Sequence, residues 1–354
     1  MIDYQKVFQL RPEMDAALII SPKNRLYFTG FQSTFGYLVI ERTALTFFTD
    51  FRYAEMAEDL QKKGVFVQFA RSEEVLPMVE RFCAQRGLQR LGIEETELTL
   101  MQFASLKKSL PNHEFVNVGS AISKMRQTKT EEEIEKIAQA QHITDEAFRA
   151  ILKVLKPGVK ERDVAVELEY QMRKNGADGL AFETIIASGI NGSKPHAHPT
   201  QKAIANGDAV TMDFGARFEG YCADMTRTVF VGKPSDPMKK IYETVLQAQQ
   251  NALKNMRAGM TGRQIDSLAR ELIASYGYAD KFTHNLGHSL GIDIHEDPRF
   301  APFWTEEIAE NTVMSVEPGI YVPGLGGVRI EDIVVLKADG IYNLTNSEKS
   351  IIIL

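Results

Sequence analysis

"KPGVKERDVAVELE" (156–169) and "RAGMTGRQIDSLAR" (257–270) align without a gap. In each, a long helical stretch ends in a basic residue and a glycine turn, and an arginine then leads into a second helix. Upstream of the first copy, Thr130 and Glu133 form a capping box, each side chain answering the other residue's free backbone N–H, and open a helix over 131–155. Ile134, Ile137, Ala138 and Ile151 supply its apolar stripe. After the glycine turn, "ERDVAVELEYQMRKNGADG" (161–179) predicts a second helix with a glycine-rich close. Each copy then runs into a strand, "AFETIIASG" (181–189) in the first and "KFTHNLGHSLGI" (281–292) in the second. Self-similarity at a spacing of about a hundred residues marks a duplicated helix–helix–strand unit. Two such units predict pseudo-symmetric halves with a crevice between them, a usual place for a small-molecule site.

Toward the N-terminus the pattern changes. Strands are expected at "AALII" (16–20), "ALTFF" (44–48), "VFVQF" (65–69), "RLGI" (90–93) and "EFVNV" (114–118). Helices are expected at "FRYAEMAEDLQKK" (51–63), "SEEVLPMVERFCAQR" (72–86) and 98–108. Such alternation implies an α/β layer with its own core. "SKMRQTKT" (123–130), polar and basic, reads as a linker. The fold class is therefore α/β (α+β), with a domain at 1–123 and a pseudo-symmetric one at 124–354.

Composition removes several functions. A net charge of −6 leaves no basic patch and so no electrostatic case for nucleic acid. Two cysteines, Cys83 and Cys222, are too few for a disulfide framework, which points to a reducing cytoplasm. The opening "MIDYQKVFQLRPEMDAALII" puts acidic residues where a signal peptide would be basic and then apolar. No apolar run approaches the ~18 residues that span a bilayer. A cytoplasmic protein without a membrane anchor is expected.

The chemistry-bearing residues cluster late. "THNLGHSLGIDIHEDPRF" (283–300) holds three of the seven histidines, His284, His288 and His295. The four-residue spacing of the first two suggests a helix face, but Gly287 and Gly291 with the alternation Ile292, Asp293, Ile294, His295 indicate a bent extended segment. Their partners must then come from elsewhere. "AVTMDFGARFEGYCADMTRTVF" (209–230) reads as a hairpin with Asp213 ending its first arm and Asp224 in the second. "TVMSVEPGIYV" (312–322) sets Glu317 before Pro318-Gly319, and "GGVRIEDIVVL" (326–336) sets Arg329, Glu331 and Asp332 inside an otherwise apolar strand. Any one of these acids could be a turn or strand-end residue facing water. Glu331 resists that reading, because an unpaired buried carboxylate is costly. Several acids brought together raise one another's pKa unless a cation neutralises them. Two divalent ions would do so, since a carboxylate's two oxygens can bridge ions that share a water. Oxygen-rich donors with one imidazole favour Mn²⁺, with Co²⁺, Fe²⁺ or Zn²⁺ as alternatives.

Taken together, "MDFGARFEGYCADMTRT", "HNLGHSLGIDIHEDP", "SVEPGIY" and "GVRIED" resemble the pita-bread metallopeptidases, the family of prolidase, aminopeptidase P and methionine aminopeptidase, with creatinase as a relative. "NRLYFTGFQSTFGYLVI" (24–40) and "LTFFTDFRYAEMAE" (45–58) resemble the creatinase-type N-terminal domain carried by the first two. Carried over by position, the resemblance makes Asp213, Asp224, His288, Glu317 and Glu331 metal ligands, Asp224 and Glu331 bridging two ions. His196, in "NGSKPHAHPT", matches the histidine that closes the substrate side, and His284 and His295 match histidines that contact substrate or tetrahedral intermediate. Arg329 matches an arginine tied to substrate anchoring, which a substrate carboxylate would suit by two-pronged pairing. His198 is expected to be an ordinary loop histidine and Cys222 a small buried hydrophobe. Tyr221 and Tyr321, beside the metal strands, are expected to serve packing.

The reaction this implies is hydrolysis of the bond before proline. A water shared by two cations loses its proton near neutral pH, and Glu317 accepts it. His295 faces the oxyanion. The tertiary amide nitrogen of proline must be protonated to leave, by His196 or His284. The compact N-terminal domain favours a dipeptidase acting on Xaa-Pro; aminopeptidase P, acting on longer peptides, is the alternative. A non-catalytic binding module of the same fold would have substituted ligands, and all five are intact. The resemblance further implies a homodimer, for which Phe31, Phe35 and Tyr37 could supply contacts or else core of their own domain.

Overall fold

The computed structural model describes residues 2–354. The chain separates into two compact units, one ending at Arg126 and the other beginning at Gln127.

The first unit runs α1 (Lys6–Leu10), β1 (Ala16–Ile19), α2 (Pro22–Thr29), β2 (Tyr37–Glu41), β3 (Leu45–Asp50), α3 (Glu58–Lys62), β4 (Phe66–Ala70), α4 (Ser72–Gln85), β5 (Arg90–Ile93), α5 (Leu100–Ser109), β6 (Glu114–Asn117) and α6 (Gly119–Gln127). Its six strands form one mixed sheet in the order β4-β3-β2-β1-β5-β6. The strand that starts it, β1, is antiparallel to β2 and parallel to β5. Val75, Val79 and Phe82 of α4 pack into a core with Leu18, Val39, Phe48 and Leu91.

Three expectations fail here. The helix expected over 51–63 is realised only as α3, because the Asp50 carboxylate accepts the Arg52 N–H at 3.0 Å and caps a separate 3₁₀ turn. The linker expected at 123–130 is mostly helix α6. Ala121 and Ile122 are buried in it, and Arg126 is buried and donates to Asn24 Oδ1 at 3.0 Å. Both α2 and β2 escape the simple alternation. Phe31 is buried edge-on to Phe47, and Phe35 stands edge-on to Tyr37, so these aromatics pack within their own unit.

The second unit repeats itself. Its first half holds α7 (Glu131–Ile151), α8 (Glu161–Lys174), β7 (Gly179–Leu180), β8 (Ile185–Ser188), β9 (Asp208–Phe214), β10 (Ala216–Phe218), β11 (Tyr221–Cys222) and β12 (Met225–Val231). Its second half holds α9 (Asp236–Asn255), α10 (Gly262–Ser275), β13 (Gly287–Ser289), β14 (Glu296–Phe300), β15 (Val313–Val316), β16 (Gly319–Val322), β17 (Gly326–Arg329), β18 (Asp332–Lys337) and β19 (Gly340–Asn343). Both α8 and α10 are 14 residues long and begin at aligned positions. Gly158 (φ 93°) and Gly259 (φ 83°), at aligned positions in the turns that lead into α8 and α10, both take the left-handed conformation. In the first half, Phe148, Val164 and Leu168 pack on Ile186, Val210 and Val229 of the sheet β12-β9-β8. In the second, Ile241, Val245 and Ile265 pack on Met314, Val316 and Val334 of the sheet β14-β13-β15-β18-β19. Each such side chain contributes roughly 1.5–3 kcal/mol on burial.

The strands are more broken than the apolar pattern suggests. The expected hairpin over 209–230 holds between β9 and β12, but its tip leaves to join β7 as the sheet β11-β10-β7. Asp224 therefore sits in the gap between β11 and β12, not within an arm. The strand expected over 326–336 is cut at Ile330–Glu331, where the β16–β17 hairpin ends and β18 begins. No helix among the described residues is long and apolar enough to cross a membrane.

Candidate active site

Strand register brings the acids together. Asp213 on β9 pairs with Thr226 on β12, two residues past Asp224. Val316 pairs with Asp332, so Glu317 and Glu331 follow and precede that pair on adjoining strands. His288 sits at a register shift of β13 against β14, where Gly287 is obligatory because a Cβ would collide with the Ser315 carbonyl. Ser315 also accepts the His288 N–H at 3.1 Å and donates to Glu317 Oε1 at 3.2 Å.

Asp213, Asp224, His288, Glu317 and Glu331 line one cavity of about 460 Å³, together with Phe182, Pro195, His196, His284 and His295. Ligand atoms of Asp224, His288 and Glu331 lie within 4.8 Å of one another. Asp213 and Glu317 border the same space, with Glu317 Oε1 at 3.4 Å from His288 Nε2. His288 Nδ1 lies 3.1 Å from the Ser289 carbonyl, which can only accept. Nδ1 therefore carries a hydrogen, and Nε2 faces Asp224 and Glu317, each at 3.4 Å, which push the imidazole's pKa up against the effect of burial. Nitrogen and carboxylates at this spacing call for a positive charge between them, a proton or a metal ion.

The titration behaviour carries the same message. Burial, then the charges of Asp224, Glu317 and Asp213, pushes Glu331 well above the usual carboxylate range. Burial raises Asp213 to about 6 against the opposing pull of Arg329, and raises Glu317 to about 7 against that of His288. Asp213 Oδ1 and Glu331 Oε1 are buried with no hydrogen-bond partner. A set of four clustered acids, two of them with an unpaired oxygen, and one imidazole nitrogen is one that divalent cations fit.

Arg329 departs from its expected role. Its Nε donates to Thr226 Oγ1 (3.0 Å), Nη1 to Tyr321 Oη (2.8 Å) and the Pro195 carbonyl (3.3 Å), and Nη2 to Asp213 Oδ2 (2.6 Å). A buried guanidinium so committed has no two-pronged face left for a substrate carboxylate. Thr226 passes the contact on, donating to Glu331 Oε2 at 2.7 Å.

The same accounting fixes His284. Its Nδ1 is 2.8 Å from the Asn285 carbonyl and must donate. Its Nε2 is 2.9 Å from Tyr321 Oη, which accepts from Arg329 and so gives its own hydrogen to that nitrogen. Burial, reinforced by the charge of Arg329, lowers His284 to about 3. His284 is neutral with both nitrogens engaged. Tyr321, expected only to pack, is thus part of the site's wiring. Its register with Gly327, and that of Gly319 with Arg329, was the available signal, since alternation puts Tyr321 and Arg329 on one face. His295 stacks edge-on to His288 with ring centres 4.4 Å apart, and burial, then His288, lowers it to about 4. His196 and His198 stand in the loop between β8 and β9 and line the cavity with exposed rings. Cys222 is buried and donates to the Ile292 carbonyl at 3.5 Å, with burial holding its thiol up to about 12.

Residues 135–338 match the model of metallopeptidase family M24. The chain belongs to that family. Residues 11–128 match the creatinase/prolidase N-terminal domain. The chain is 42% identical to an uncharacterized peptidase, YqhT, of Bacillus subtilis over 96% of each sequence. Among solved structures it resembles an Xaa-Pro dipeptidase from Bacillus anthracis (38% identity, TM-score 0.95, covering 99% of this chain and 98% of that one). It also resembles an X-Pro aminopeptidase from Thermotoga maritima (37% identity, TM-score 0.92, covering 97% and 98%). Membership of M24 implies divalent metal ions, which the donor set fits.

Proposed function

We propose that this M24 enzyme is an Xaa-Pro dipeptidase of the cytoplasm, acting as a homodimer with a creatinase-like domain at 1–123 and the peptidase domain at 124–354. The observation that carries the reading is the convergence of Asp213, Asp224, His288, Glu317 and Glu331 on one cavity, with a buried oxygen of Asp213 and of Glu331 left unpaired. These five residues would hold two divalent ions, Mn²⁺ first. Such ions lower the pKa of a shared water and polarise the scissile carbonyl.

The chain's own groups do the rest. Glu317, bordering the cavity beside His288, takes a proton from the attacking water and returns it. His295 borders the cavity beside His288 and faces the developing oxyanion. The leaving proline nitrogen takes its proton from His196, because both ring nitrogens of His284 are already bonded. Arg329 and Tyr321 orient Asp213 and His284 rather than gripping the substrate.

The solved X-Pro aminopeptidase supports a second reading, removal of a residue ahead of proline from longer peptides. Rates on Ala-Pro and Ala-Pro-Ala-Ala, with protein stripped and reloaded with Mn²⁺, separate the two. Cleavage of the dipeptide alone is expected. Preference for the longer peptide makes the enzyme an aminopeptidase, and inertness toward both removes the Xaa-Pro reading.

A further inference from the structure

The loop between Ser188 and Thr200 carries His196 and supplies Pro195, Ala197 and His198 to the cavity wall. Both of its feet are fastened to a single buried side chain. Glu161, the first residue of α8, accepts at Oε1 from the Ser188 N–H (2.7 Å), the Ser188 hydroxyl (2.8 Å) and Asn191 Nδ2 (3.1 Å). At Oε2 it accepts from the Thr200 N–H (3.1 Å) and the Thr200 hydroxyl (2.5 Å). The backbone is stitched alongside, with the Glu161 N–H donating to the Lys202 carbonyl and the Arg162 N–H to that of Thr200, each at 3.1 Å.

A carboxylate at a helix's first position ordinarily serves the helix dipole from the surface. This one is fully buried, and all five of its donor groups belong to the loop. The duplicated half marks it as special. At the matching position α10 has Gly262, where a Cβ would collide with the Arg299 carbonyl, so nothing comparable fits there. The fold needs no acid at this point. The loop does.

We propose that Glu161 is a positioning residue that closes the 189–199 loop and thereby sets His196 over the substrate. This rests on the reading that His196 serves the leaving group. Exchanging one carboxylate oxygen for an amide turns an N–H donor toward donors already there. The Glu161→Gln loop consequently loses at least one foot while α8 keeps its packing.

The test pairs kinetics with hydrogen exchange on the Mn²⁺-loaded enzyme. Glu161→Gln is expected to lower kcat/KM for Ala-Pro by about tenfold, the loss that goes with one charged hydrogen bond. In a His196→Ala background the same change is expected to cost less than about twofold, because coupled residues do not add. Amides of 189–199 are expected to exchange about tenfold faster, with β9 unaltered, as for local opening on loss of one such bond. Thr200→Val, an exposed change at the loop's far foot, gives the same pattern more weakly and serves if the glutamine variant does not fold. Equal losses with and without His196, or unchanged exchange over 189–199, overturn the proposal. If the wild-type enzyme cuts no Xaa-Pro peptide, the functional reading falls and hydrogen exchange alone decides this one.

Discussion

The two halves of the second unit share a frame and differ in how they fasten it. Ser188 ends β8 in the first half and Ser289 ends β13 in the second, and each hydroxyl receives a lysine, Lys202 in one and Lys129 in the other, at 2.8 and 2.9 Å. Each serine also belongs to a network built on a buried glutamate. In the first half that is Glu161, on the helix. In the second the helix position is Gly262, and Glu296 of β14 takes the part, held by Lys129 at 3.2 Å. The same mechanical problem, pinning a cavity-wall segment, is solved twice with different residues. Duplication has preserved backbone necessities such as the left-handed glycines and left the charge partners to be rebuilt.

That comparison can be broken most severely at the shared site. Asp224 comes from the first half and Glu331 from the second. Asp224→Asn and Glu331→Gln should each lower Ala-Pro hydrolysis by more than the roughly 100-fold that loss of an outer-shell partner costs. Metal content measured on the same samples should fall with it. If one substitution is tolerated, the site belongs mainly to the other half.

Next comes the fastening of the second half. Lys129→Ala takes its cation from buried Glu296, which keeps the Asp293 N–H, and should cost about 3–5 kcal/mol in urea unfolding. A loss near zero would mean that the pair is dispensable and that the parallel with Glu161 is only geometric. Gly262→Ala should cost about 1–3 kcal/mol by overpacking against the Arg299 carbonyl. Substituting the same alanine at Glu161 has no such clash to meet, so its loss should fall on the loop and on activity.

The smallest effect is a slope. His284 is held near 3 against its usual 6.5. Between those values the unfolded chain binds a proton that the folded ring refuses, so stability falls as pH falls through this window. His284→Asn should flatten the dependence of urea midpoint on pH. An unchanged slope would assign the acid sensitivity to other groups.

Much of this was legible in the sequence. The Thr130–Glu133 capping box forms as the sequence predicts, because a capping box is written within four residues. Residue type drew attention to the acids and histidines, the family resemblance named the five candidate ligands by position, and the structure gathers them around one cavity. Less legible was what engages them. Thr226 reaches Glu331 across 105 residues, and Arg329 spends its donors on Asp213, Tyr321, Pro195 and Thr226. Local pattern carries no information on such pairings. Apolar runs also concealed the break at Ile330–Glu331, since a strand and a strand interrupted for one buried acid look alike in hydropathy. Glu161 was hidden for a related reason. An acid at a helix start reads as routine capping, and only its distance from solvent gives it away.

The buried, unpaired oxygens of Asp213 and Glu331 have a practical consequence. A fold that keeps acids buried and unpaired has stability to gain from whatever cation satisfies them, by RT ln(1 + [L]/Kd), or about 1.4 kcal/mol for each tenfold rise in free metal above Kd. The melting temperature of this protein is therefore itself a gauge of metal identity. Titrating Mn²⁺, Co²⁺, Fe²⁺ and Zn²⁺ against thermal unfolding would rank the ions with no substrate in the tube.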